Sequence, residues 1–202
     1  MIYTVGHSNY EIDNFIKVIS SYGIDFIVDV RSSPYSKYCP QFNRENIKDS
    51  LKNIGIQYLF LGKELGARPN DSSCYYGGRV QFDLLRKTEL FKQGIARLKD
   101  AESKVCLLAI MCSEKNPIDC HRTVLISRVL KEEGIDVKHI ISDTEVIDQS
   151  QIEEQLQKKF KLEPLLFDSE NAAQERVAEA YEKQEEHITY KQNVETKIGS
   201  EY

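Results

Sequence analysis

The chain has 202 residues, 41% of them hydrophobic, and a formal net charge of −5. This length allows a substantial core in one domain with an appendage. No apolar run reaches the roughly 18 residues that a bilayer requires, which excludes a membrane-spanning helix. Five cysteines form an odd set without a compact framework, which argues against a small disulfide-rich secreted module. We expect a cytoplasmic protein with no leader segment and no membrane partner, whose cysteines are thiols or metal ligands.

The first part of the chain alternates between predicted strands and helices. Residues 2–5 form an apolar strand, and apolar residues at positions 12, 15, 16 and 19 then repeat at helical spacing. A second strand is expected over residues 25–31, a helix over 44–54 and a third strand over 57–61. Residues 62–80 are rich in Gly, Pro, Asn and Ser, which predicts a long irregular loop.

The second part of the chain continues the alternation. A helix over residues 89–101 precedes the run 105–111, which is apolar without alternation and predicts a strand covered on both faces. A helix over 123–130 and a strand over 137–141 follow. Strands that alternate with helices indicate an α/β fold, a single Rossmann-like domain with a mainly parallel sheet flanked by helices. His139 in the last strand is expected to be a core residue, and so is Cys106.

The remaining residues differ in charge from the rest. Residues 144–202 contain 7 Lys and Arg against 14 Asp and Glu, net −7, which leaves +2 for residues 1–143. Apolar residues at 146, 147, 152 and 156 predict one more helix, and residues 162–167 are expected to pack on the core. We therefore place the α/β domain at residues 1–167 and an acidic tail, helical or disordered, at 168–202. An amphipathic tail helix would be a candidate surface for a homo-oligomer.

Candidate functional side chains follow three of the predicted strands. His7 follows the first, Asp29 and Arg31 end the second, and a loop rich in reactive side chains joins the apolar strand to its helix: Cys112, Glu114, Cys120, His121 and Arg122. In parallel sheets the carboxyl ends of the strands lie at one edge, where ligands bind, and the N–H groups at a helix start favour anions. We expect these side chains to form one site.

Several motifs resemble the family called domain of unknown function 488. They are Thr4-Val5-Gly6-His7-Ser8-Asn9, Val28-Asp29-Val30-Arg31 with Pro34 and Ser36, Pro40-Gln41-Phe42-Asn43, Leu61-Gly62-Lys63-Glu64-Leu65-Gly66-Ala67-Arg68, Met111-Cys112-Ser113-Glu114 and Cys120-His121-Arg122. They occur in this order over residues 1–143, and Ala67 departs from the family, which more often has glycine there. The resemblance implies a fold and a set of site residues but no established reaction.

The leading hypothesis is an enzyme that binds a phosphate- or nucleotide-containing anion at the carboxyl edge of the sheet. Cys112 would be the nucleophile, and His7 or His121 the acid or base. The residues expected to bind the anion are Arg31, Arg122, Asp29, Glu114, Arg68, Tyr35 and Ser36. The arginine does not have the spacing from the cysteine that anion-cradling loops of rhodaneses and phosphatases use.

Two alternatives belong to other classes of protein. One is a non-catalytic nucleic-acid or nucleotide-binding module, because cations and aromatic residues alternate in two loops: Arg31, Tyr35, Lys37, Tyr38, Phe42 and Arg44 in the first, and Arg68, Tyr75, Tyr76 and Arg79 in the second. The other is a zinc or iron site built on Cys112, Cys120 and His121. Their spacing matches no standard zinc pattern, so a fourth ligand would come from elsewhere, with His7 or Cys39 as candidates.

Overall fold

A six-stranded, mostly parallel sheet forms the centre of the protein, whose computed structural model describes residues 1–104, 107–162 and 169–191. The strands are β1 (Ile2–Gly6), β2 (Phe26–Asp29), β3 (Gln57–Phe60), the hairpin β4 (Tyr75–Tyr76) and β5 (Arg79–Val80), then β6 (Leu108–Cys112), β7 (Val137–Ile140) and β8 (Val146–Asp148). The sheet has the order β3-β2-β6-β1-β7-β8, and only the pair β7 and β8 is antiparallel. The predicted α/β fold is confirmed.

Helices cover both faces of the sheet. They are α1 (Ile12–Ser21), α2 (Arg44–Asn53), α3 (Gly62–Leu65), α4 (Phe82–Lys87), α5 (Glu89–Ser103), α6 (Arg128–Glu132), α7 (Gln149–Lys159) and α8 (Glu170–Ile188). The apolar stripes of α1 and α2 pack on one face, and the other longer helices pack on the opposite face. β6 lies in the middle with all five residues buried, as its continuous apolar sequence predicts.

Two local predictions were wrong, and the predicted helix over residues 123–130 is present but begins as a π-helix. Residues 62–80 are not irregular: they contain α3, a 3₁₀ turn at Ser72–Cys74 and the hairpin, whose tight turn is made by Gly77 and Gly78 at φ of 56° and 73°. Residues 146 and 147 belong to the edge strand β8, and the helix begins only at α7, where Asp148 and Gln151 form a capping box. Before α6, residues Arg122–Ser127 form a π-helix.

The tail forms a helix that packs on the domain. α8 buries Ala180 and Tyr181, and its Glu185 carboxylate pairs with Arg86 and Arg128 at 2.7 and 3.1 Å. Much of this contact is polar, which explains why the apolar periodicity of the sequence could not distinguish a helical tail from a disordered one. No helix among the described residues is long and apolar enough to cross a membrane. Cys106, most of the segment 162–167 and residues 192–202 lie outside the described residues.

His139 is a buried core histidine, as predicted. Its Nδ1 lies 2.8 Å from Thr4 Oγ1 and its Nε2 lies 2.6 Å from Gln149 Oε1, so Nε2–H donates to the amide oxygen and Nδ1 accepts from the hydroxyl. Burial lowers the pKa of His139 to about 4, from its ordinary value of 6.5. The imidazole is therefore neutral in the folded protein at neutral pH.

This histidine should make folding sensitive to mild acid. Because its pKa is lower in the folded than in the unfolded chain, stability is complete above about pH 6.5 and is lost as the pH falls towards 4. We expect this residue to cost about 2 kcal/mol of unfolding free energy between pH 7 and 5. When urea denaturation is measured across this pH range, the unfolding free energy should depend less steeply on pH in His139→Gln than in the parent. Equal pH dependence in the two proteins would contradict a neutral, buried His139.

Candidate metal centre and adjoining cavity

The carboxyl ends of the three central strands meet at one edge of the sheet. In the parallel register Gly6 lies opposite Cys112, and Asp29 lies opposite Met111. The backbone N–H of His7 donates to the Cys112 carbonyl at 2.9 Å, which extends the pairing one residue past the strand. The residues that follow β1, β2 and β6 therefore lie close together.

A thiol, carboxylate and imidazole cluster, hereafter the Cys/His cluster, lies at this edge. It consists of Cys112, Glu114, Cys120 and His121, whose ligand-type atoms all lie within 4.8 Å of one another. Glu114 Oε2 is 3.0 Å from the Sγ atoms of both cysteines, and His121 Nδ1 is 3.5 Å from Cys112 Sγ and 3.9 Å from Cys120 Sγ. Four groups that ligate soft or borderline metals thus converge on one point.

The conformation of the loop after β6 explains this convergence. Pro117–Asp119 form a 3₁₀ turn, and the side chain of Asn116 caps it by accepting from the Ile118 N–H. Arg122 is fully buried, and its guanidinium donates to the carbonyl oxygens of Glu114 and Lys115 at 2.6 and 3.2 Å. The loop is folded back over the start of the π-helix, which brings the two cysteines together.

The proton affinities of the two thiols diverge. Burial raises the pKa of the Cys112 thiol well above its ordinary value, and its contacts with Cys120 and Glu114 act in the same direction. Burial also raises the pKa of Cys120, but the hydrogen bond from Cys112 and the charge of Arg122 outweigh it and lower that pKa well below normal. Of the two thiols, Cys120 is therefore the one whose surroundings favour the thiolate, and Cys112 the one whose surroundings favour the protonated form.

A second buried network lies beside the cluster. Arg31 makes a bidentate pair with Asp29, with Nε and Nη2 at 2.9 and 2.7 Å from the carboxylate oxygens, and Tyr58 donates its hydroxyl to the same carboxylate at 2.6 Å. Arg31 Nη1 lies 3.0 Å from His7 Nε2, and His7 Nδ1 donates to the Ser8 carbonyl at 2.8 Å. Burial, followed by the charge of Arg31, lowers the pKa of His7 to about 4.

A small polar cavity of about 190 Å³ opens above the Cys/His cluster. It is bounded by the end of β2, the loop after α3, the loop after β6, the end of α8 and the residues that follow it. Its lining residues are Arg31, Ser32, Ser33, Ala67, Arg68, Cys112, Ser113, Glu114, Asp119, His121, Ile188 and Tyr190. Cys112, Glu114 and His121 connect the cluster directly to this space.

The structure does not bring every predicted site residue to the cavity. Tyr35 donates to Glu45, Ser36 organises the loop that leads to Cys39, and neither residue lines the cavity. The guanidinium of Arg122 is directed at backbone carbonyls, which is the geometry of a positioning residue. Both ring nitrogens of His7 already have partners, and Glu114 occupies the place in the cluster for which His7 and Cys39 were candidates.

Sequence reasoning missed several residues that line the cavity. Ser32 and Ser33 directly follow Arg31, so their place after β2 was a usable signal. Ile188 and Tyr190 gave no signal, because they belong to the acidic tail beyond the recognised motifs. They reach the cavity through the backbone bond from Val80 N–H to the Tyr190 carbonyl, 3.0 Å, which ties the tail to the hairpin.

Comparison with known proteins gives a family but no characterised relative. The model of the family described as Domain of unknown function DUF488 matches residues 11–129. This range contains the whole Cys/His cluster and Arg31, whereas His7 and the tail helix lie outside it. No curated protein and no solved structure matches the chain. Because the family model covers more than half of the sequence, the chain belongs to the family of domain of unknown function DUF488.

Proposed function

We propose that this protein binds a divalent metal, zinc in the first instance, in the Cys/His cluster, and presents it to the cavity as a Lewis acid. The observation that carries the proposal is the convergence of two thiols, one imidazole and one carboxylate within 4.8 Å. Ligand atoms of a tetrahedral zinc ion are about 3.3 to 3.8 Å apart, and the two Glu114 Oε2–Sγ distances of 3.0 Å are shorter than this, so the carboxylate would move outward when the ion binds. The sulfur–nitrogen distances of 3.5 and 3.9 Å lie close to that range.

The surroundings of His121 support the same proposal. Its Nε2 lies 3.2 Å from the Val30 carbonyl oxygen, which can only accept, so Nε2 carries a proton and Nδ1 faces the two sulfurs, where a metal would take the place of any proton on Nδ1. Metal-ligating histidines characteristically donate their other N–H to such an acceptor. The backbone N–H of Arg122, 3.5 Å from Cys120 Sγ, would stabilise a metal-bound thiolate.

The four ligands would not be equivalent. Cys112, Cys120 and His121 are buried, whereas Glu114 is an exposed residue whose carboxylate closes the cluster on the side of the cavity. Three protein ligands with an exchangeable fourth position are typical of catalytic rather than structural zinc sites. This arrangement supports metal-assisted activation of a ligand in the cavity. The proposal requires reduced thiols, which fits the cytoplasmic setting expected from the sequence.

The other sequence-based hypotheses receive less support from the geometry. Covalent catalysis would place the nucleophile on Cys112, which lines the cavity, but burial raises the pKa of that thiol, and the group with the lowered pKa is Cys120. A binding module for nucleic acid would use Tyr38 and Tyr76, which are 96% and 80% exposed. Neither tyrosine lines the cavity, so that hypothesis does not use the Cys/His cluster.

Metal content tests the proposal. We expect untagged protein, reconstituted with zinc and desalted, to retain about one equivalent per chain by mass spectrometry, with two thiols that become reactive only after chelation. Cys112→Ser and Cys120→Ser should each abolish tight binding. The control is Cys39→Ser, which removes a cysteine outside the cluster and should bind zinc as the parent does.

A conservative variant distinguishes the loss of zinc binding from the loss of the fold. Glu114→Gln replaces the carboxylate by an amide of the same shape and should retain the fold by circular dichroism while it weakens zinc binding, because an amide is a poorer ligand than a carboxylate. The proposal is wrong if the reconstituted parent holds no zinc, or if the variant that lacks both Cys112 and Cys120 retains it.

A further inference from the structure

We infer that the cavity binds a small oxyanion beside the proposed metal, with Arg68 as the residue that selects for negative charge. Arg68 lines the cavity, and its guanidinium lies 4.5 Å from the centre of the Tyr190 ring. Within the part of the chain that the structure describes, no carboxylate lies within ion-pair distance of this guanidinium. An arginine that faces a polar cavity without an anionic partner leaves its charge available to a ligand.

The other cation of the cavity is already balanced. The charge of Arg31 is compensated by Asp29, and four of its five side-chain N–H groups are directed at Asp29, Phe42 and His7. One N–H on Nη1 has no partner among the described residues and can donate into the cavity. Two carboxylates also line the cavity, but Asp119 pairs with Lys159 at 3.4 Å and Glu114 is directed at the two cysteines. Arg31 thus supplies a directed N–H donor for a ligand, whereas Arg68 supplies a positive charge that no carboxylate of the described residues compensates.

The position of Arg68 is fixed by the loop on which it lies. Its backbone N–H donates to Ser32 Oγ at 2.9 Å, so the serine oxygen is used as an acceptor and its proton is left to donate to a ligand. The preceding Gly66 packs so closely on Ser32 that a side chain at position 66 would overlap the hydroxyl. The loop after α3 is therefore held against the end of β2, with Arg68 and Ser32 on the same wall.

The size of the cavity limits the ligand. About 190 Å³ is well below the roughly 300 Å³ at which pockets for drug-sized molecules begin. Ile188 and Tyr190 close it on the side of the tail, and Tyr190 is held in place by Arg68 and by the backbone bond to Val80. The group that fits inside is an inorganic oxyanion or a short phosphate or carboxylate compound, and a whole nucleotide would extend beyond the cavity into solvent.

The inference deepens the proposed function, since the metal would supply the second contact of the same oxyanion. The first measurement is calorimetric titration of the zinc-loaded protein with inorganic phosphate. We expect saturable binding that is weakened at least about tenfold by Arg68→Gln, because a charge-assisted bidentate contact is lost. Acetate, titrated in parallel, separates phosphate from carboxylate ligands. The zinc content of Arg68→Gln should equal that of the parent.

Arg79→Gln is the matched control. Arg79 is a neighbouring arginine on β5, but it donates to the Glu186 carbonyl and does not line the cavity, so its loss should leave phosphate affinity unchanged. The inference is overturned if neither phosphate nor acetate binds the parent, or if Arg68→Gln and Arg79→Gln bind phosphate with the same affinity. If the parent holds no metal, the proposed function fails by itself, and the same titration on metal-free protein still decides whether Arg68 binds an oxyanion.

Discussion

Replacing Gly6 with alanine is expected to destabilise the protein by about 3 kcal/mol and to abolish metal binding, because the loop after β6 lies directly on this glycine. A Cβ atom at position 6 would overlap the Glu114 carbonyl oxygen and lie 2.7 Å from the carbonyl carbon. Both are backbone atoms, so no side-chain rotation relieves the clash. The loop must move away from the end of β1, and the Glu114 carboxylate moves with it out of the Cys/His cluster.

The control is Gly55→Ala at the opposite edge of the sheet. Gly55 has a φ of +81° and nothing within 4 Å of an added Cβ, so its replacement costs about 1 kcal/mol through backbone strain alone. Chemical denaturation gives the two stability changes, and zinc titration should separate the variants: Gly55→Ala binds as the parent does. If Gly6→Ala retains parental zinc affinity, the packing of the loop on β1 does not position the cluster.

The location of the site was predictable from strand ends. The run before Cys112 is apolar without alternating polar residues, which indicates a strand buried on both faces. Such strands lie in the middle of parallel sheets. Once β6 is central, its neighbours must end beside it, which brings Gly6 and Asp29 to the same edge. Periodicity and the parallel rule therefore suffice to place the loop between Cys112 and His121 among the strand ends, with no knowledge of its conformation.

The internal geometry of the site was not predictable in this way. Glu114 joins the two cysteines only because the loop turns back on itself, and this turn depends on the contacts of Arg122 with two backbone carbonyls. The position of Arg122 at a predicted helix start suggested that it would bind an anion, because the N–H groups at a helix start favour anions. A long-range backbone contact of this kind leaves no periodic signal, so the role of the residue became visible only in three dimensions.

Apolar periodicity also failed to predict that the tail helix packs on the domain. Its helix lacks a regular apolar stripe, because part of its attachment is made by polar groups: Glu185 pairs with two arginines, and Gln184 donates to the Ile118 carbonyl at 2.8 Å. The second of these contacts reaches the loop that carries the Cys/His cluster. The helix thus stabilises the same loop that Arg122 contacts through the Glu114 and Lys115 carbonyls. It also places Tyr190, which follows it, at the cavity.

Arg122→Met is expected to lower zinc affinity by about tenfold to a hundredfold, as loss of an outer-sphere contact commonly does, and to reduce stability by about 3 kcal/mol. The carbonyl oxygens of Glu114 and Lys115 lose their charged donor in this variant. The proposed metal site would also lose its counter-charge, because a divalent ion bound by two thiolates, one carboxylate and a neutral imidazole would carry one net negative charge, which the Arg122 guanidinium would balance.

Arg122→Lys separates the two contributions. A lysine retains the buried positive charge, but its single ammonium cannot reproduce the fork that reaches both the Glu114 and Lys115 carbonyls. We expect Arg122→Lys to recover most of the zinc affinity and little of the stability, measured by competition with a chelator and by urea denaturation. Arg128→Met, which removes an arginine paired with Glu185 rather than with the loop, should leave zinc affinity unchanged. Equal zinc affinity in Arg122→Met and the parent would show that neither the charge nor the carbonyl contacts of Arg122 support the metal site.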